Sequence, residues 1–332
     1  MTELILHVGM GKTGTSSIQA ALKQNSDVLM AQGVSYLGMW FGDISSDFIG
    51  YDGQEKMFSS SAEEMFDHAN ALAAALDVRK KELGIDRFII SNESMFGNVG
   101  TLIPFVKRLS DLLSVKVVAY ARNPVDWLPS AYNQWAVYHK NVEGPIPDYE
   151  PTARRLINTY NGLILWARGI PDQFSIRTFH KGLDVISDFS SFCGIEIDNP
   201  EGRKLERAGA VESVFRAVYN NNFHESVLPQ RFDAAVGRDS VSPKHNLSEI
   251  VGRSFDYRAT NMIVQDNAKM FDLILTLTGV DLRVENSTVP PAPNVDDLRK
   301  DVIDSLLRLS MDQAERIYIL EQKVKRIESG ER

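Results

Sequence analysis

Short apolar runs alternate along the chain with longer stretches of helical period. Residues 4–8, 87–91, 115–120 and 174–179 are five or six residues long and dominated by Leu, Ile, Val, Ala and Phe. That is the pattern of strands covered on both faces. Between them lie helical segments. Residues 15–25 place Ile18, Ala21 and Leu22 on one side, and residues 61–83 repeat apolar positions from Ala62 to Leu76 at spacings of three and four. Ser61 reads as an N-cap, Glu63 and Glu64 suit the positive helix end, and Gly84 marks the stop. Further helices are predicted over 101–113, with Pro104 in its first turn, and over 154–168 and 183–193. Strands alternating with helices through residue 194 predict an α/β fold with a parallel sheet flanked by helices on both faces.

Residues 33–60 break the pattern. They are rich in Gly, Ser, Asp and rings (Tyr36, Trp40, Phe41, Phe48, Tyr51, Phe58), too polar for a core strand and too aromatic for an idle linker. They are expected to form a loop that tucks its rings into the core or walls an acceptor pocket. Pro124 sets the start of another helix, and Pro129 inside it predicts a bend. Residues 200–280 read as mostly helical. A Pro-rich linker, 286–293, separates a main domain, 1–285, from a C-terminal segment, 294–332. Ile303, Leu306, Ile317, Leu320, Val324 and Ile327 follow a seven-residue pattern there, interrupted by Ser310 and Gln313. A helix of that length spans roughly 50 Å. It predicts either a coiled coil joining a homo-oligomer or packing back on the domain.

Charge and composition narrow the partners. A net charge of -8 argues against general nucleic-acid binding, so any anion site is local. The single cysteine, Cys193, cannot form an intramolecular disulfide. No apolar run approaches the ~20 residues of a membrane helix, and Met1-Thr2-Glu3 does not open like a signal peptide. A cytoplasmic enzyme is expected.

The chemistry concentrates after the first apolar run, in Gly9-Met10-Gly11-Lys12-Thr13-Gly14-Thr15-Ser16. A strand, a glycine-rich turn and a helix start with hydroxyls present backbone N–H groups at a positive helix end, which is a phosphate cradle. Gly9 and Gly14 have the separation of the nucleoside-triphosphate loop G-x-x-x-x-G-K-[ST]. Position 15 is Thr, however, and the only lysine is Lys12, inside the loop. The apolar runs at 87–91 and 115–120 end in Ser91 and Tyr120, without an acid for magnesium.

Lys12-Thr13-Gly14-Thr15-Ser16 resembles the phosphosulfate loop of the P-loop sulfotransferases, which use 3′-phosphoadenosine 5′-phosphosulfate (PAPS). Ala121-Arg122-Asn123-Pro124 through Ser130 is similar to their 3′-phosphate motif, an Arg at a strand end and a Ser eight residues on. The resemblance covers about residues 1–195. It implies that Gly11, Lys12, Thr13, Gly14, Thr15 and Ser16 bind the cofactor, the last four of them at its 5′-phosphate, that Arg122 and Ser130 hold the 3′-phosphate, and that Lys12 stabilises the leaving oxygen. It also implies transfer to a hydroxyl without a metal, on a carbohydrate or glycan-like acceptor. Glu93, just past the second apolar run, stands where cytosolic members carry a histidine, and a carboxylate there can take the acceptor's proton. His7, beside the loop, is a rival base, and His180 a weaker one. Tyr132, Trp135, Tyr138, Tyr160 and Trp166 can wall an acceptor pocket or pack the core. Two other classes stay open: a nucleotide or small-molecule kinase with an unusual P-loop, and a catalytically silent nucleotide-binding scaffold assembling through its C-terminal helix.

Overall fold

A computed structural model describes residues 2–198, 210–221, 223–229, 231–232, 247–283 and 287–329. The chain divides into two compact units: Met1–Leu128 with Leu156–Leu205 and Met262–Thr288, and Pro129–Arg155 with Glu206–Asn261 and Val289–Arg332. The block expected over 1–285 is thus partitioned, the helix that starts at Pro124 running from the first unit into the second.

The first unit is built on five parallel strands. β1 (Glu3–Gly9), β2 (Val34–Gly38), β3 (Arg87–Ser91), β4 (Ser114–Arg122) and β5 (Phe174–Phe179) lie in the order β2-β3-β1-β4-β5. β1 is central, and all but its first residue are buried. Its register with β3 pairs His7 with Ser91, and its register with β4 pairs Gly9 with Ala119. β2 is the strand that the apolar pattern misses. It is an edge strand with only Val34 buried, so it tolerates the polar composition that hides it.

Helices cover both faces. α1 (Thr15–Gln24) and α9 (Val185–Cys193) pack Ile18, Leu22, Val185 and Phe189 on Ile5, Ile89, Val118 and Tyr120. Strand residues alternate in direction, so Leu4, Leu6, Phe88 and Val117 point to the opposite face. That face is covered by α5 (Val99–Leu112) against β4 and α8 (Asn161–Gly169) against β5, with α4 (Ala62–Leu83) outside α5. α4 begins with a complete capping box between Ser61 and Glu64, as its sequence predicts. It ends at Gly84 in the left-handed conformation, φ 69°, where glycine carries no side-chain penalty. The remaining helices of the first 200 residues are α2 (Ser26–Ala31), α3 (Gly50–Phe58), α6 (Pro124–Tyr132) and α7 (Tyr149–Leu156). α7 and α8, joined by a 3-10 turn over Ile157–Tyr160, replace the single helix expected over 154–168.

Beyond them come α10 (Ala210–Asn220), α11 (Leu247–Ser254), α12 (Thr260–Asp266), α13 (Ala268–Thr278) and α14 (Val295–Ser329). Part of the stretch expected to be helical, residues 200–280, lies outside the described residues. In the second unit, Tyr132, Tyr149 and Tyr257 stack edge to face, and the Tyr149 and Thr260 hydroxyls share a hydrogen bond of 2.6 Å. Buried Lys140 donates to the carbonyls of Phe223 and Glu225 at 2.9 and 2.7 Å, which offsets the desolvation of its charge. Among the described residues no helix is long and apolar enough to cross a membrane.

Candidate functional site

Three central strands bring the candidate residues to one end of the sheet. The chain leaves β1 toward β2 on one side, and leaves β4 toward β5 on the other. Such a divergence opens a crevice at the carboxyl ends of the two strands, the usual ligand position in an open α/β sheet. Residues 9–14 lie at the end of β1 and Arg122 at the end of β4.

Five hydrogen bonds hold the loop there. The Met10 amide donates to the Tyr120 carbonyl on β4 at 3.0 Å, and the Thr13 hydroxyl to the Met10 carbonyl at 2.5 Å. The Trp127 indole N–H on α6 donates to the Gly11 carbonyl at 2.9 Å. Gly14, φ 87°, ends the loop as the residue preceding α1, and the amides of Ser17 and Ile18 already bond its carbonyl. The amides of the first helical turn before them face out of the helix start, where an anion can accept from them. A Cβ on Gly14 would stand 2.8 Å from Val185 and 3.2 Å from Phe179, so the position has neither the backbone angle nor the room for a side chain.

Phe179 also fixes where Arg122 lies. The guanidinium sits over that ring at 5.8 Å from its centroid, so Arg122 and Gly14 contact the same side chain. Arg122 is 5% exposed. Its carbonyl accepts from the Tyr160 hydroxyl at 2.6 Å, and Asp126 lies 4.0 Å from the guanidinium, itself accepting from Ser287. Ser130, eight residues on, is buried on α6 but belongs to the second unit, and its role rests on sequence spacing alone.

Two features of the loop mark it as more than a connection. Lys12 has φ 69°, a left-handed conformation that costs a non-glycine residue free energy and clusters at ligand-holding sites. Thr15, the first residue of α1, is 3% exposed, and its hydroxyl has no hydrogen-bond partner among the described residues. A buried hydroxyl without a partner is costly in a native structure unless water or a ligand completes it. Ser16 beside it is exposed.

Glu93 joins the same end of the sheet. It opens the 3-10 turn after β3, and its Cα and Cβ abut Gly9, leaving no space for a Cβ there. The Gln19 side chain on α1 donates to Glu93 Oε2 at 3.1 Å and to the Ser91 carbonyl at 3.0 Å. Burial, together with the negative charge of Glu93, pushes the Tyr36 hydroxyl up to about 12. Buried Asn92 donates to the Met39 carbonyl and to Gln54, tying the aromatic segment to the end of β3.

His7 is placed differently. It is fully buried, hydrogen-bonded to Ser91 Oγ at 2.8 Å and packed beside Tyr120 and Phe189. Burial depresses its pKa to about 3, so it stays neutral, and no face of it meets solvent. It behaves as a core histidine, which does not suit the base role. His180 follows β5, with its ring nitrogen directed to the neighbouring Lys181 carbonyl. The expected acceptor walls sort similarly. Tyr132, Tyr160 and Trp166 are fully buried and pack the cores of their units, whereas Trp135 and Tyr138 are half-buried. In the aromatic segment Phe41 and Phe48 are core, while Trp40 and the exposed Tyr51 form an edge-to-face pair at 5.3 Å.

Gln19, Trp127 and Phe179 are site residues that the sequence reading did not assign. Trp127 stood within the quoted motif, and Gln19 lies one turn into the helix that opens the cradle. Their signal was proximity to known pieces; their partners are set by sheet order. Compared with protein-family models and with curated proteins, the chain matches none.

Proposed function

We propose that this protein is a P-loop sulfotransferase that moves the sulfuryl group of PAPS to an acceptor hydroxyl. The observation that carries the reading is the convergence on Phe179: one ring contacts both the glycine that ends the anion cradle and the guanidinium at the end of β4. A nucleotide with phosphate on both sides of its ribose suits two distinct anion sites, the cradle and Arg122, better than a triphosphate does. The Thr15 hydroxyl, without a hydrogen-bond partner among the described residues, and the first-turn amides fit a 5′-phosphate. Gly11, Thr13 and Ser16 join them by their place in the loop, and Arg122 offers a bidentate fork for the 3′-phosphate. Ser130 is assigned by the spacing of the resemblance.

PAPS supplies an activated sulfuryl group whose departure leaves charge on the oxygen it had shared with phosphorus. The Lys12 ammonium meets that charge, an interaction strongest in the transition state. The acceptor hydroxyl gives its proton to the Glu93 carboxylate as its oxygen attacks. Gln19 holds that carboxylate from the side, so the base does not swing away from the reacting hydroxyl. Trp40 and Tyr51, tied near Glu93 through Met39 and Asn92, offer aromatic faces suited to a sugar ring, and a carbohydrate or glycan-like acceptor is proposed. No metal is assigned a role.

The test is turnover: PAPS is incubated with the protein and a panel of saccharides, and release of 3′,5′-ADP is followed. The reading expects acceptor-dependent release that Glu93→Gln lowers by about 10²–10⁴-fold with nucleotide binding retained. Binding without turnover on any acceptor supports the scaffold reading. Phosphate transfer from ATP with magnesium supports the kinase reading.

A further inference from the structure

α14 is anchored near its start. Leu298 is buried there, and the helix packs on α10 and α11. From Ile303 onward its apolar stripe meets solvent: Ile317 is 53% and Leu320 59% exposed, and Ile303, Leu306 and Val324 are exposed as well. A stripe exposed over about 30 Å from Ile303 to Val324 is long enough to seat a partner helix.

The charges beside the stripe identify the partner. With Ile303, Ser310, Ile317 and Val324 at heptad position a, and Leu306, Gln313, Leu320 and Ile327 at d, Arg316 and Lys323 occupy g. Glu321 and Glu328 occupy e. In a parallel in-register pair each g residue meets the e residue five positions on in the other chain. Arg316 then meets Glu321, and Lys323 meets Glu328, on both sides of the seam. An antiparallel pair sets g against g and e against e, which places Arg and Lys together and Glu against Glu. The seam residues agree on strand number: β-branched side chains at three of the four a positions, with Leu at two d positions, favour two strands. Ser310 and Gln313 make one heptad polar, which penalises slipped registers.

We infer that two copies of this chain join through a parallel, in-register coiled coil formed by the exposed part of α14. The inference is independent of the nucleotide reading. It is tested on the full chain by sedimentation equilibrium. Wild type is expected at twice the 37.2 kDa chain mass. Leu320→Glu is expected at the single-chain mass, with unchanged helical circular dichroism outside the loss from the seam. The double reversal Arg316→Glu/Lys323→Glu is expected to raise the dimer dissociation constant about tenfold or more. Adding Glu321→Lys and Glu328→Lys to that chain restores it, which a variant that merely misfolds cannot do. Orientation is read by oxidative cross-linking. Ser310→Cys and Ile327→Cys each cross-link in a parallel pair, whereas an antiparallel pair aligns at most one of them. The native Cys193 is buried and does not compete. A single-chain mass for wild type at micromolar concentration, a trimer, a heteromeric partner in place of self-association, or cross-linking at only one of the two cysteines overturns the inference.

Discussion

Lys12 holds a left-handed backbone angle in a loop whose other positive-φ residues, Gly9 and Gly14, are glycines. A lysine is kept where glycine fits better. Lys12→Gly therefore separates strain from function. It is expected to leave the unfolding free energy unchanged or raise it by about 1 kcal/mol, while sulfuryl transfer falls by about 10²–10³-fold; denaturant melts and turnover measure the two. His7 supplies the opposite kind of test. Its folded pKa, about 3, lies below the unfolded value, so between the two the unfolded chain binds the extra proton. Stability is fully present above the unfolded histidine range and is lost as pH falls toward 3, by at most about 1.4 kcal/mol per pH unit from this residue. His7→Asn is expected to flatten that acid limb in urea melts at pH 7, 5 and 4, with little change in turnover at neutral pH. An acid limb unchanged in the variant argues against a buried neutral ring.

At the scale of elements, the join between the loop and α1 bears the site. Gly14→Ala places a methyl group against Val185 and Phe179 at a positive φ. It is expected to lower stability by about 2 kcal/mol and to abolish nucleotide binding, measured by melting and calorimetry. Wild-type affinity in that variant means the loop is not the cradle. Strands β1, β3 and β4 were readable because burial on both faces leaves a short run of apolar residues, the edge strand β5 because Phe174, Ile176 and Phe179 stand out in it although none is buried, and α4 because its cap, period and stop all agree. β2 escaped because an edge strand needs no such run. The loop and Arg122 were legible as candidates, since Lys, Gly and hydroxyls at a strand-to-helix turn suit an anion. Their convergence was not legible: the contact of Gly14 with Phe179 spans 165 positions and depends on β5 lying beside β4. The rings left open between pocket wall and core were undecided for the same reason. Tyr132 and Trp166 read alike in sequence whether they line a pocket or fill a core, and only their neighbours decide.

For the whole molecule, with a net charge of -8, the proposed function requires a ligand that brings phosphate to both Lys12 and Arg122. That is the central claim, and thermal unfolding in the presence of nucleotides tests it most directly. A ligand at 100 times its dissociation constant adds about 2.7 kcal/mol to stability, a shift of several degrees. The account expects 3′,5′-ADP to raise the melting temperature of wild type by that amount and 5′-AMP to do far less. In Arg122→Ala the advantage of 3′,5′-ADP over 5′-AMP is expected to vanish. Stabilisation by ATP with magnesium and none by 3′,5′-ADP would contradict it.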